Sequence, residues 1–227
     1  TTFELSARSG IFKNMNVSGK TNVIGIIGNP VGHSLSPTIQ NYLMIKNSID
    51  GVYVPLPVPH DQFKNALHGL PALGFEGANI TVPYKSDILP FLDKIDVTAR
   101  RIGAVNTVRV GANKKLEGTN TDSAGFLTAI LKHSPKEWGL YNKPAVVMGA
   151  GGAARAVIYA LKKLKPSEIR IVNRSFARAA ELAGDFGIPC RAYDWEKRNI
   201  ILKNAALLVN ATKCGMVGEP ELKIDLS

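Results

Sequence analysis

Acidic residues are scarce in this sequence: 18 Asp and Glu stand against 28 Lys and Arg in 227 residues, a net charge of +10. Such a surplus suits either a nucleic-acid surface or a protein that handles small anions. The basic residues are scattered, however, and the densest runs, LKKLKPSEIR and NRSFARAA, lack the interleaved aromatics that single-stranded nucleic acid favours. A small anionic partner is expected, and no nucleic acid. Cysteine is nearly absent. Cys190 and Cys214 have no metal-ligand spacing around them and are too few for a disulfide framework, so no metal site is expected. Long apolar runs are missing as well. None approaches the roughly 18 to 20 residues needed to cross a bilayer, and TTFELSARSGIFKNMNVSG has no apolar core like that of a signal peptide. The expectation is a cytoplasmic protein with no membrane partner. Neither a repeat of fixed period nor a low-complexity tract occurs, and 45% hydrophobic residues suit one large globular domain or two ordinary ones.

What is present is an alternation of strand and helix patterns. NVIGIIG at 22–28 reads as a buried strand, and SPTIQNYLMIKNS as a helix with Pro37 near its start and Ile39, Tyr42, Leu43 and Ile45 on one face. GVYVPLPV, HDQFKNALHGLPALG and GANITVPYK follow as strand, helix and strand, the last running to Lys85 with Ala78, Ile80 and Val82 on its apolar side. DVTARRIGA is a short helix, NTVRV and KLEGTNT two short strands about the turn GANKK, and DSAGFLTAILKH a further helix. SPKEWGLYNKP interrupts the pattern, which places a domain boundary near 134–143. Beyond it the spacing predicts strands at 145–148, 169–173, 189–193 and 206–211, with helices at 152–164, 176–185 and 196–204. The fold class expected is α/β in two domains: residues 1–138 with a mainly parallel sheet, and residues 139–227 as a Rossmann-type nucleotide-binding domain.

VVMGAGGAARA carries that second expectation. Gly149, Gly151 and Ala154 form G-x-G-x-x-A directly after an apolar strand and at the start of a helix. Gly149 allows the tight turn, Gly151 lets backbone approach a pyrophosphate, Ala154 permits close packing, and the helix amino end attracts negative charge. Gly152 makes the loop still more permissive. The competing reading is that these small residues serve packing alone. The next strand discriminates between cofactors. An acidic residue about 20 positions on would bind the ribose hydroxyl of NAD, whereas EIRIVNRS ends in Asn173, Arg174 and Ser175. Arg174 can clasp a 2′-phosphate through its planar fork, Ser175 can donate a hydrogen bond to it, and Arg178 follows one helical turn later. NADP is expected in preference to NAD.

The first half offers a polar set at strand ends. Ser34 and Ser36 lie in GNPVGHSLSPTI before the first helix, where serines cap helices as readily as they hold a carboxylate. His33 stands beside them as a lone loop histidine. Asp122 opens a helix after EGTNT, where its competing role is that of N-cap. Asn106 ends RIGAVN in the same manner, and Asn79 and Thr81 share a strand face. Ligands of open α/β sheets bind beyond the carboxyl ends of strands, so these hydroxyls, amides, one carboxylate and the Lys85 ammonium suit a polyhydroxylated anion.

In these segments the sequence resembles the shikimate dehydrogenase family. GNPVGHSLSPTIQN looks like its substrate-carboxylate loop, GANITVPYK its catalytic-lysine strand, and IGAVNT and GTNTD its further substrate segments. GAGGAARA, VNRS and VNATKCGM resemble its cofactor turns, in the family's order, so the likeness runs from about residue 22 onward. The resemblance implies that Ser34 and Ser36 bind the substrate carboxylate, that Thr81, Lys85, Asn106 and Asp122 hold ring hydroxyls, and that Lys85 and Asp122 are the catalytic pair in a cleft between two domains. It implies NADP contacts from Gly149, Ala150, Gly151, Gly152, Ala153, Asn173, Arg174, Ser175, Arg178, Thr212 and Met216. The implied activity is reversible hydride transfer between NADPH and 3-dehydroshikimate, by a monomer or homodimer. Family members continue for several tens of residues past ELKIDLS, which marks this chain as C-terminally truncated, and Lys213 and Cys214 replace small polar residues. The rivals are a quinate dehydrogenase using NAD and a nucleotide-binding protein without turnover.

Overall fold

The computed structural model describes residues 17–134, 139–216 and 218–226. They form two packed units. The first ends at Asp96 and takes up again at Val105–Thr119; the second holds Val97–Ala104 and the described residues from Asn120 onward. Chain order had suggested a division at 138/139. Packing draws it earlier, because α3 (Val97–Ile102) and α4 (Asp122–His133) lie on α5 (Gly152–Lys163). Ile102 and Ala104 cluster with Ala156, and Phe126 packs on the core that α5 supplies.

The first unit is built on six strands: β1 (Asn22–Gly28), β2 (Gly51–Pro57), β3 (Phe75–Ile80), β4 (Lys94–Ile95), β5 (Thr107–Val110) and β6 (Leu116–Thr119). Their order is β2-β1-β3-β5-β6-β4. β1 runs parallel to both β2 and β3, and β4 parallel to β6, while the β5–β6 hairpin adds the two antiparallel pairings. α1 (Ser36–Lys46) and α2 (Phe63–Ala72) are the crossovers that parallel strands require. α2 buries Phe63, Leu67 and Leu70, as an amphipathic helix should.

Two expectations fail here for physical reasons. β3 stops at Ile80 rather than Lys85, since Tyr84 N–H bonds back to Thr81 O in a turn and Pro83 has no N–H to offer a ladder. Tyr84 is buried, stacked 4.1 Å from Phe63 with its hydroxyl donating to Val58 O, while Val82 is exposed. On α1 three of the four residues expected on the apolar face, Ile39, Tyr42 and Leu43, are exposed, while Ile45 is half-buried and Met44 is buried. The helix docks by Asn41, whose amide takes both the N–H and the C=O of Tyr53 on edge strand β2. A side chain thereby occupies edge groups that would otherwise invite another strand.

The second unit has an all-parallel sheet of β7 (Pro144–Met148), β8 (Glu168–Val172), β9 (Cys190–Tyr193) and β10 (Leu207–Asn210), in the order β10-β7-β8-β9. α5 and α6 (Phe176–Phe186) cover one face over Ala145, Val147, Ile169 and Ile171. Val146, Met148 and Val172 cover the other with Ile201. The helix expected at 196–204 is two short 3₁₀ turns, Trp195–Lys197 and Ile200–Leu202. Arg170 of β8 reaches the carbonyls of Ile201 and Lys203, and Asn204 takes a positive φ, so the chain is held out of a continuous helix.

Candidate active site

Gly28 ends β1, and an added Cβ there would lie 2.4 Å from Thr81 Cγ2 and 3.1 Å from Val82 O. The loops leaving β1 and β3 are thus in backbone contact, further tied by Asn29 N–H to Val82 O at 3.0 Å and Thr81 N–H to Ile27 O at 2.9 Å. The first loop carries Ser34 and Ser36. Ser34 Oγ accepts the N–H of Ser36, the first residue of α1, at 3.2 Å, whereas the hydroxyl of Ser36 makes no hydrogen bond to a described residue. The second loop carries Thr81 and Lys85. Lys85 O accepts Val105 N–H at 2.7 Å, which seats it beside Asn106.

Asn106 is 8% exposed and pinned by its own backbone: O accepts Ile80 N–H at 2.8 Å, and N–H donates to Thr119 O at 3.1 Å. Asn79, which the strand pattern placed beside Thr81, is instead committed to structure. Its Oδ1 accepts the Tyr53 hydroxyl at 2.7 Å, and its Nδ2 donates to Asn106 O and Thr107 Oγ1. Burial pushes Tyr53 up to about 12, so it remains a protonated donor there. The structure therefore brings Ser34, Ser36, Thr81, Lys85 and Asn106 to one end of the first sheet, and sets Asn79 aside.

Asp122 opens α4, three residues past β6. The first N–H groups of α4 are held by Asn120. Asn120 is 6% exposed; its Oδ1 accepts the N–H groups of Asp122 at 3.0 Å and Ser123 at 3.4 Å, and its Nδ2 donates to Ala104 O. Sequence reasoning missed Asn120, although an amide two residues ahead of an acidic helix start was its visible signal.

In the second unit the glycine turn follows β7. Gly149 has φ +109°, and a Cβ on it would meet Ala211 O at 2.8 Å, so only glycine fits. Gly151 has φ −96° with open space beside it, Gly152 begins α5, and Ala154 is fully buried in the core beneath. Ala150 packs partly on that core, and Ala153 is exposed. After β8, Asn173 Nδ2 donates to Ser175 O, Ser175 precedes α6 without a side-chain capping bond, and Arg174 and Arg178 are exposed. Neither arginine has an ion pair among the described residues. After β10, Thr212 is half-buried and Met216 exposed. Lys213 turns to Glu219 at 3.8 Å, and Cys214 N–H bonds Thr212 Oγ1.

Strand order makes this an anion cradle. β7 lies between β10 and β8, and in doubly wound sheets the crevice where the order reverses receives a dinucleotide. The α5 amino end and the open space at Gly151 fit a pyrophosphate, and two unpaired guanidinium groups fit an added phosphate. Among the described residues no cluster of metal-ligating side chains occurs, and no helix is long and apolar enough to cross a membrane.

Comparison with known proteins agrees with both units. The sequence model of the shikimate dehydrogenase substrate binding domain matches residues 26–108, and that of shikimate / quinate 5-dehydrogenase matches residues 132–217. A shikimate dehydrogenase (NADP(+)) of Paramagnetospirillum magneticum is 45% identical over 211 residues, covering 93% of this chain and 76% of its own. The crystal structure of shikimate dehydrogenase from Aquifex aeolicus superposes with a TM-score of 0.81 at 38% identity, covering 91% and 74%. Quinate dehydrogenase from Corynebacterium glutamicum, solved with NAD, gives 0.80 at 29% identity, covering 90% and 75%.

Proposed function

The chain belongs to the shikimate dehydrogenase family, and from that premise we propose that it catalyses the NADP-dependent, reversible reduction of 3-dehydroshikimate to shikimate. The observation that carries the cofactor choice is the end of β8, where Arg174 and Arg178, without an ion pair among the described residues, follow Asn173 and no acidic residue is present for a ribose hydroxyl. NADPH, when bound, supplies the hydride.

In this reading Ser34 and Ser36 donate to the substrate carboxylate, and the hydroxyl of Ser36, which has no hydrogen bond among the described residues, is the readier donor. Thr81 and Asn106 hold ring hydroxyls. Hydride arriving at the ring carbonyl leaves negative charge on its oxygen, and the Lys85 ammonium supplies the proton that turns this oxygen into the product hydroxyl. Asp122 orients that ammonium and balances its charge. Asn120 supports the reading by fixing the start of α4 that carries Asp122, its Oδ1 accepting the N–H groups of Asp122 and Ser123.

The test is oxidation of shikimate followed at the nicotinamide absorbance, with quinate and NAD as parallel arms. Turnover with shikimate and NADP is expected; a strong preference for quinate with NAD would instead align the chain with the Corynebacterium glutamicum enzyme. Lys85→Ala is expected to lower turnover by about 10² to 10⁴ with NADP binding little changed, and near-normal turnover removes Lys85 from the mechanism. A cytoplasmic monomer or homodimer completes the proposal, checked by sedimentation and cell fractionation.

A further inference from the structure

We propose that Asn210 is a positioning residue that shapes the loop receiving the nicotinamide half of the cofactor, an inference that rests on the NADP reading above. Asn210 is the last residue of β10 and is exposed, yet both ends of its side-chain amide bond to the loop that follows. Oδ1 accepts the N–H of Thr212 at 3.0 Å and its hydroxyl at 2.6 Å, while Nδ2 donates to Cys214 O at 3.0 Å. Thr212 Oγ1 in turn accepts Cys214 N–H at 3.0 Å. One amide and one hydroxyl thus close residues 210–214 into a single hydrogen-bonded ring.

The loop so held abuts the glycine turn. Ala211 N–H donates to Met148 O at 2.8 Å, and a Cβ at Gly149 would meet Ala211 O at 2.8 Å and Thr212 N at 3.2 Å. The order β10-β7-β8 then sets direction. If the 2′-phosphate lies at Arg174 beyond β8 and the pyrophosphate at the turn after β7, the remaining half must extend over β10, onto Thr212 and the exposed Met216. Exposed hydrogen bonds such as those of Asn210 add little to global stability, because water competes for the same groups. What they fix is the loop's conformation before the ligand arrives, which spares the ligand the cost of ordering it.

Two variants separate positioning from general support. Asn210→Ala deletes the ring, and Asn210→Asp keeps the acceptor for Thr212 but loses the donor to Cys214. NADP+ and 2′,5′-ADP, which carries only the adenosine half, are titrated against wild type and each variant, with thermal unfolding alongside. Asn210→Ala is expected to weaken NADP+ at least about tenfold while 2′,5′-ADP affinity and the unfolding midpoint stay near wild type, and Asn210→Asp to fall between. Parallel loss of both ligands, or unchanged NADP+ affinity, overturns the proposal. Wild type binding neither ligand overturns the NADP reading as well, so the two failures are distinct.

Discussion

The side-chain oxygen of Asn120 accepts the backbone N–H of Asp122 at 3.0 Å and that of Ser123 at 3.4 Å, so a buried amide holds the first N–H groups of α4. The two residues therefore separate stability from chemistry. Asn120→Ala is expected to cost about 1 to 2 kcal/mol in urea unfolding, through lost capping and an unpaired Ala104 carbonyl. Asp122→Asn should reduce shikimate turnover by about 10² or more, a larger loss of activity than of stability. The reverse pattern would return the capping role to Asp122.

The arginines past β8 predict cofactor preference. A charge-assisted hydrogen bond to phosphate is worth about 1.5 to 3 kcal/mol, so Arg174→Ala should raise the KM for NADP by roughly 10- to 100-fold and leave that for NAD almost unmoved. Arg178→Ala should act in the same direction more weakly. Equal loss for both cofactors would place neither guanidinium on the 2′-phosphate.

Gly149 and Gly151 should fail differently. Gly149→Ala forces a Cβ onto Ala211 O at a backbone angle of +109°, with an expected cost of about 1 to 3 kcal/mol and loss of NADP binding. Gly151→Ala meets no atom of the described residues and has an ordinary φ, so stability should hold while NADP binding falls. Calorimetry and a cofactor titration on each variant check both halves.

Glu168 predicts a pH dependence of stability. Burial alone would raise its carboxyl, but hydrogen bonds from the Tyr193 hydroxyl at 2.6 Å and Arg170 Nε at 2.7 Å outweigh burial and hold it below the ordinary range. A carboxyl depressed in the fold adds stability above its unfolded value, near about 4.3, and loses it as pH falls through the folded value. Glu168→Gln should thus unfold at lower urea than wild type at pH 7, with the gap closing below about pH 4. A gap constant with pH would mean that the charge contributes nothing.

Local periodicity was a good guide wherever one signal acted alone. β1 and α4 appear with their expected bounds, and β7, β8 and α6 within a residue or so, because alternation, helical spacing and glycine punctuation agree there. It failed where distant groups decide. Ile39, Tyr42 and Leu43 of α1 are exposed while Asn41 docks the helix on Tyr53, and in the 196–204 segment, two short turns, Arg170 takes the carbonyls of Ile201 and Lys203.

By itself the sequence determined the α/β alternation, the glycine turn at Gly149 with its helix start, and the acid-free end of β8, since backbone angles, spacing and charge at a strand end are local properties. Only the tertiary structure decided which polar side chains are committed to the scaffold. Asn79, Asn120 and Asn210 are all amides near strand ends, but each is defined by its hydrogen-bond partners: Tyr53 for the first, Ala104 and the α4 amino end for the second, Thr212 and Cys214 for the third. It also placed α3 and α4 with the second sheet, because the burial of Ile102, Ala104 and Phe126 against α5 and its core depends on complementary surfaces that chain order does not encode.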